Sequence, residues 1–149
     1  MEDFLRILLF GLGATQAGLM FVDEGIFHRR RGLDRFERWG HVADTLMFFA
    51  ALCIPAFFLP SQGALIAFAI LALGSCLLIT KDEWIHAEVC TGAEQWCHAM
   101  LFVLHGALLT VLGFVWVGNP SVIELKLLPA AVLLSALLGL MMAAKLEVM

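Results

Sequence analysis

The sequence predicts an all-α, polytopic membrane protein with five transmembrane helices. The chain has 149 residues, and 62% of them are hydrophobic. Soluble domains are roughly 45–50% apolar, and a chain this short cannot hide so much apolar surface in a core of its own. Charged residues make up only 15% of the chain, against about 25% in a typical soluble domain, and they are clustered between apolar stretches. The apolar stretches are therefore expected to lie in a lipid bilayer.

Five apolar stretches have about the length that is needed to cross a bilayer. They cover residues 4–22, 42–59, 64–80, 99–118 and 127–144 of one transmembrane domain. The second and third are joined only by the turn at residues 60–63, so we expect them to be antiparallel neighbours. The first four are expected to form an antiparallel four-helix bundle. The fifth has no ionisable residue between Lys126 and Lys145, so we assign it a scaffold role.

The distribution of basic residues predicts the orientation. Five arginines lie between the first two stretches, whereas the turn at residues 60–63 has no basic residue. Because Lys and Arg are retained on the cytoplasmic side, we expect this arginine-rich loop and the loop with Lys81 in the cytoplasm. The N-terminus is then outside and the C-terminus inside, in a plasma membrane such as the inner membrane of a bacterium. The acidic and basic side chains that alternate over residues 34–38 are expected to form a solvated loop.

Histidines and carboxylates cluster at one end of the predicted bundle. On this topology each of the four helices carries one histidine and one carboxylate near the cytoplasmic face. The eight candidate metal ligands are Glu24, His28, His41, Asp44, Glu83, His86, Glu94 and His98. The two members of each pair are three or four residues apart, which places them on one face of an α-helix. Asp23, beside Glu24, and Asp82, beside Glu83, are alternatives to those carboxylates.

Imidazole nitrogen and carboxylate oxygen together form a ligand set for iron, manganese or zinc. Eight ligands are too many for one ion and suit two ions bridged by carboxylates. We therefore expect two metal ions, with iron favoured over zinc and manganese. The alternative for any one of these histidines is an amphipathic side chain that simply contacts water at the interface.

The ligand pattern resembles that of the ferritin-like di-iron carboxylate bundles. That family uses a Glu from each of two helices and a Glu-x-x-His motif from each of the other two. Glu83-Trp84-Ile85-His86 matches the motif, and His41-Val42-Ala43-Asp44 has the same spacing in reverse order. The remaining two helices carry Glu-x-x-x-His instead of a lone Glu. The resemblance covers about eight positions and implies a di-iron centre inside a four-helix bundle.

Two further polar residues lie deeper in the predicted spans. Gln16 is on the first helix, and His105 is on the fourth, seven residues beyond His98. An ionisable residue within a span is a functional candidate by default. We expect Gln16, Asp82 and His105 to support the metal ligands or to line a substrate pocket, and the alternative for His105 is a neutral ring bonded to a neighbouring helix.

The leading hypothesis is a membrane-embedded di-metal oxidoreductase of the hydroxylase, desaturase or oxidase type. Its substrate is expected to be a lipid-soluble molecule that reacts at the cytoplasmic interface. No flavin motif or reductase domain is visible, so a redox enzyme would need a separate electron donor.

A zinc-dependent membrane hydrolase is the second hypothesis. A non-enzymatic metal-binding or transport subunit and a b-type haem protein are further alternatives. The net charge of −4 gives no indication of a nucleic-acid partner.

Overall fold

The computed structural model describes residues 2–32, 34–81 and 83–146, with side chains described as far as residue 137. These residues form helices and short connections, and none of them lies in a strand. The helices are α1 (Glu2–Val22), α2 (Arg29–Arg31), α3 (Arg35–Phe57), α4 (Gln62–Leu78), α5 (Glu83–Val89), α6 (Gly92–Gly118) and α7 (Glu124–Leu146), and a π-helical segment, Asp23–His28, joins α1 to α2. The predicted all-helical class is confirmed.

Four helical runs are long and apolar enough to cross a membrane. They are Glu2–Arg31, Arg35–Phe57, Gln62–Val89 and Gly92–Gly118. The fifth predicted span lies within α7, which is helical over 23 residues.

Short polar side chains fix where three of the long helices begin. Ser61 and Thr91 each accept a hydrogen bond from the backbone N–H three residues later, at the starts of α4 and α6. At the start of α3, Asp34 and Glu37 form a reciprocal capping box. Such caps satisfy backbone N–H groups that have no partner within the helix. The turns between helices are therefore set locally.

The long helices surround one core. α1 packs along α6, α3 packs along α4, and α6 also contacts α4. α7 lies against α3 and also touches α1, where Arg6 forms an ion pair with Glu124 at 2.7 Å between Nη2 and Oε1. The expected antiparallel neighbours α3 and α4 are thus observed, and α7 contributes to the bundle by contacting both α1 and α3.

Apolar side chains occupy both the core and the exterior. The core contains Leu9, Leu52 and Leu112, which are almost fully buried. Large apolar side chains such as Phe10 and Leu73 are exposed, at 74% and 67%. An exterior of this kind is unfavourable in water and suits contact with lipid.

Two expectations about the connections are wrong. Residues 35–38, expected in a solvated loop, form the first turn of α3, because the Asp34 capping box starts the helix there. Within the helical run Gln62–Val89, α4 ends at Leu78, and Glu83 and His86 do not continue it. They lie on the separate short helix α5, after a turn at residues 79–81.

Cysteine labelling in intact cells tests the orientation. In a variant whose four native cysteines are replaced by alanine, Gly63→Cys should react with a membrane-impermeant reagent applied outside, and Gly92→Cys should not. Both glycines are exposed and have no atom within 4 Å of an added Cβ, so neither change should disturb packing. The opposite labelling pattern would overturn the orientation expected from the arginines.

Candidate metal centre

A π-helical segment aims the first two side chains of the centre. Residues 23–28 continue α1 with the wider π spacing, in which hydrogen bonds run from residue i to i+5. Asp23 and His28 are five residues apart, and both are buried on the inner face. Glu24 also reaches His28, at 3.4 Å between Oε2 and Nδ1, but its side chain is half exposed. Single-turn π-helices of this kind are frequent at functional sites.

The structure brings four histidines from four different helical segments into one continuous row. The ring centroids of His41 and His28 are 4.8 Å apart, those of His28 and His98 are 5.8 Å apart, and those of His98 and His86 are 4.2 Å apart. His28, His86 and His98 are buried. The predicted cytoplasmic ends of the helices therefore meet around imidazole rings.

Three sets of side chains in this row place ligand atoms within 4.8 Å of one another. The sets are Glu24, His28 and His41; Asp23, His28 and His98; and His86, Cys90 and His98. The first and third share no residue. We call them the outer group (Glu24, His28, His41) and the inner group (His86, Cys90, His98), because Glu24 and His41 are partly exposed whereas His86 and His98 are buried.

Asp23 lies between the two groups. Its Oδ1 is hydrogen-bonded to His98 Nε2 at 3.0 Å, and its Oδ2 lies 3.6 Å from His28 Nε2. A carboxylate can bridge two ions through its two oxygens. The sequence predicts Asp23 only as an alternative to Glu24. The π-helical turn directs the Asp23 side chain into the bundle, and a regular α-helical spacing does not predict this orientation.

Several buried ring nitrogens of the row have no hydrogen-bond partner among the described residues. Nδ1 of His98 is in this state, and so are both nitrogens of His28, whose nearest carboxylate oxygens, at 3.4 and 3.6 Å, do not form hydrogen bonds of good geometry. A buried polar atom without a partner costs roughly 1–3 kcal/mol, so such atoms rarely persist without a ligand. The donor set and these nitrogens together fit a metal ion.

Cys90 belongs to the inner group and is not among the predicted ligands. It follows α5 and precedes α6, four residues after His86. Without a metal, burial and a hydrogen bond with Glu94 raise the pKa of the Cys90 thiol to about 12. A metal would have to displace that proton, since only the thiolate binds. The i,i+4 spacing from His86 was a usable signal, but a single thiol near a histidine is common.

Two other carboxylates at this end bind Arg31 instead of joining a ligand group. Glu37 accepts two hydrogen bonds from the Arg31 guanidinium, at 2.7 and 3.1 Å, and is only 1% exposed. Glu94, a predicted ligand, accepts a hydrogen bond from Arg31 Nε at 3.2 Å. Glu37 also lies 3.4 Å from His86 Nε2. The expectation that Glu37 is solvated is wrong, because Arg31 neutralises it inside the bundle.

Glu83 stays at the edge of the centre. Its Oε1 is 3.9 Å from His86 Nδ1, and its side chain is 53% exposed. It belongs to none of the three sets. Asp82, the alternative carboxylate, lies outside the described residues.

Asp44, a predicted ligand, joins a hydrogen-bonded chain deeper in the bundle. Ser75 donates to Asp44 Oδ1 at 3.4 Å and is bonded to His105 Nε2 at 2.8 Å. His105 Nδ1 is bonded to the Gln16 amide nitrogen at 3.1 Å. This polar chain (Gln16, His105, Ser75, Asp44) links α1, α6, α4 and α3, and none of its members belongs to a ligand set. Gln16 and His105 therefore bond to each other and to Ser75, below the ligand groups.

Comparison with family models, with characterised proteins and with solved structures gives no match for this chain. The resemblance to di-iron carboxylate bundles consequently rests on the ligand pattern alone. The function has to be argued from the centre itself.

Removing the Ser75 hydroxyl should destabilise the bundle. Ser75→Ala leaves His105 Nε2 without its 2.8 Å partner, and we expect a loss of about 1 kcal/mol in the free energy of unfolding. Ser135→Ala is the matched control, because the Ser135 hydroxyl is exposed and bonds only to a carbonyl of its own helix. Reversible denaturation of the detergent-solubilised protein measures both; equal effects would show that the polar chain does not hold the helices together.

Proposed function

We propose that the chain is an integral membrane oxidoreductase built around a two-metal centre. The observation that carries the proposal is the pair of three-ligand groups that share no residue and are both approached by Asp23. Two ions can then be held at once, one by the outer group and one by the inner group, with Asp23 between them. Carboxylate and imidazole ligands with open positions are the environment of non-haem iron in oxygen chemistry.

The outer group offers the access that a reaction needs. It contains two histidines and one carboxylate, the ligand set of non-haem iron enzymes that keep positions open for substrate and oxygen. Glu24 is half exposed and His41 is partly exposed, whereas Phe48 and Ala51, deeper on α3, are buried in a packed core. Substrate would therefore approach from the side of the bundle and not through its interior.

The surroundings of the outer group favour a lipid-soluble substrate. Phe21 lies three residues before Glu24 and is 74% exposed, so an apolar outer surface leads up to this carboxylate. An apolar molecule in the bilayer would reach the metals along that surface with little desolvation cost. The chain's residues would hold the metals and position this substrate, and a separate protein would supply the electrons.

The metals, when bound, would supply the redox chemistry. The chain itself would orient the imidazoles and carboxylates and exclude water from the buried side of the centre. Glu37 and Arg31 illustrate this, since their paired charges lie against His86 without being ligands. Partners of this kind orient the ring of a ligating histidine.

A zinc-dependent hydrolase is the second candidate, and Cys90 is the observation that favours it. Thiolate and imidazole are the usual ligands of zinc. In such an enzyme zinc would activate a water molecule, and a nearby carboxylate that is not a ligand would accept its proton. A b-type haem cannot be held between His86 and His98, because the centroids of these rings are only 4.2 Å apart and leave no gap for a porphyrin.

Metal analysis of the detergent-purified protein should find two ions per chain. Iron with no haem absorption supports the oxidoreductase, and zinc alone supports the hydrolase. The absence of stoichiometric metal from protein grown with adequate iron and zinc would contradict both.

Replacing single histidines of α6 tests the ligand assignment. His98→Ala should cut the bound metal strongly, because His98 belongs to the inner group and contacts Asp23. His105→Gln is the matched control: it replaces another buried histidine of the same helix, which belongs to no ligand group, by a side chain that can still form hydrogen bonds to its neighbours. Equal metal content in the two variants would mean that the row of histidines does not bind the ions.

A further inference from the structure

The two ligand groups differ in chemistry and in exposure. The outer group supplies two imidazoles and one carboxylate, whereas the inner group supplies two imidazoles and a thiol. The side chains of His86 and His98 are 5% and 7% exposed, against 27% for His41 and 52% for Glu24. An ion in the outer group would therefore have different donor atoms from an ion in the inner group, and it would be more accessible to solvent.

The inner group matches a closed zinc site. Zinc in structural sites is bound by four Cys, His or carboxylate ligands in a tetrahedron. Cys90, His86 and His98 supply three. Asp23, whose Oδ1 contacts His98 Nε2 at 3.0 Å but which is not grouped with His86 or Cys90, would supply the fourth after a shift toward the ion. Soft thiolate selects against the harder ions, and four protein ligands would leave no open position for substrate, although Cys90 itself is partly exposed.

The outer group matches an open iron site. Glu24, His28 and His41 supply three ligands on one side, with the second oxygen of Asp23 beside His28 at 3.6 Å. Iron takes up to six ligands, so positions remain for oxygen and substrate, and the half-exposed Glu24 lies where they would enter. No thiol belongs to this group.

We propose that the centre is heterodinuclear, with zinc in the inner group and iron in the outer group. This inference rests on the proposed two-metal function and assigns each ion its role. Zinc fastens α5, α6 and the π-helical segment together through Cys90, His86, His98 and Asp23. Iron in the outer group is the ion that exchanges with solvent and meets the substrate.

Single-ligand variants that act on one ion at a time test this assignment. In the full-length protein purified in detergent, elemental analysis should find one zinc and one iron per chain. Cys90→Ser should lose the zinc and keep the iron, whereas Glu24→Gln should lose the iron and keep the zinc. A mild chelator should remove iron from the unaltered protein well before zinc, because the outer group is the exposed one.

Two matched variants control for unspecific damage. Cys97→Ser changes a buried cysteine that belongs to no ligand group and whose thiol donates to the Leu19 carbonyl at 3.7 Å. Glu88→Gln removes an exposed carboxylate from α5. Both should keep both metals. Cobalt loaded into the inner group should show a sulfur-to-cobalt charge-transfer band that Cys90→Ser abolishes and Cys97→Ser retains.

The possible outcomes separate this inference from the proposed function. Two ions of the same element, or a Cys90→Ser protein that loses the iron instead of the zinc, would overturn the heterodinuclear assignment and leave the two-metal centre standing. A protein that binds no metal would overturn both. A cobalt band that persists in Cys90→Ser would show that Cys90 is not a ligand.

Discussion

Asp23 holds the two halves of the candidate centre together. It is buried, it is hydrogen-bonded to His98 on α6, and its other oxygen approaches His28 at the end of its own segment. A buried carboxylate is costly unless it is paired or bound to metal. The π-helical turn that brings Asp23 inward therefore requires a compensating partner, and the row of imidazoles supplies it. This one side chain contacts one histidine of the outer group and one of the inner group.

Much of the architecture could be predicted from the sequence because lipid imposes simple rules. A segment that crosses a bilayer has to be long, apolar and internally hydrogen-bonded, so the positions of the long helices follow from hydropathy. The turns are marked by capping residues such as Ser61 and Thr91. The same topology predicts that the four histidines meet. They lie at the same predicted membrane depth, and the antiparallel helices place that depth at one end of the bundle.

The details of the centre were not predictable from periodicity alone. An α-helical spacing pairs Glu24 with His28, but the π-helical turn also turns Asp23 toward the ring. The alternating charges around Glu37 are typical of a solvated loop, and only the approach of Arg31 from another segment makes its burial favourable. Asp44 has the expected helix spacing from His41, yet its hydrogen bond is to Ser75. The first two differences depend on local geometry that helix periodicity does not encode, and the third depends on a contact between residues 31 apart in the chain.

The polar chain beneath the centre has a separate role. The hydrogen bonds from Gln16 through His105 and Ser75 to Asp44 connect four helices in a region that is otherwise apolar. Hydrogen bonds between membrane helices contribute about 0.6 kcal/mol each on average, so the chain fixes the relative positions of the helices more than it adds stability. A fixed position is what a metal centre assembled from several helices requires.

X-ray absorption at the iron edge of the detergent-purified protein tests the central claim most directly. Two ions bridged by Asp23 should give a metal scatterer at about 3.5–4 Å from the iron, together with a first shell of nitrogen and oxygen only. An isolated iron with no second metal at that distance, or an iron bound within a porphyrin, would contradict the account.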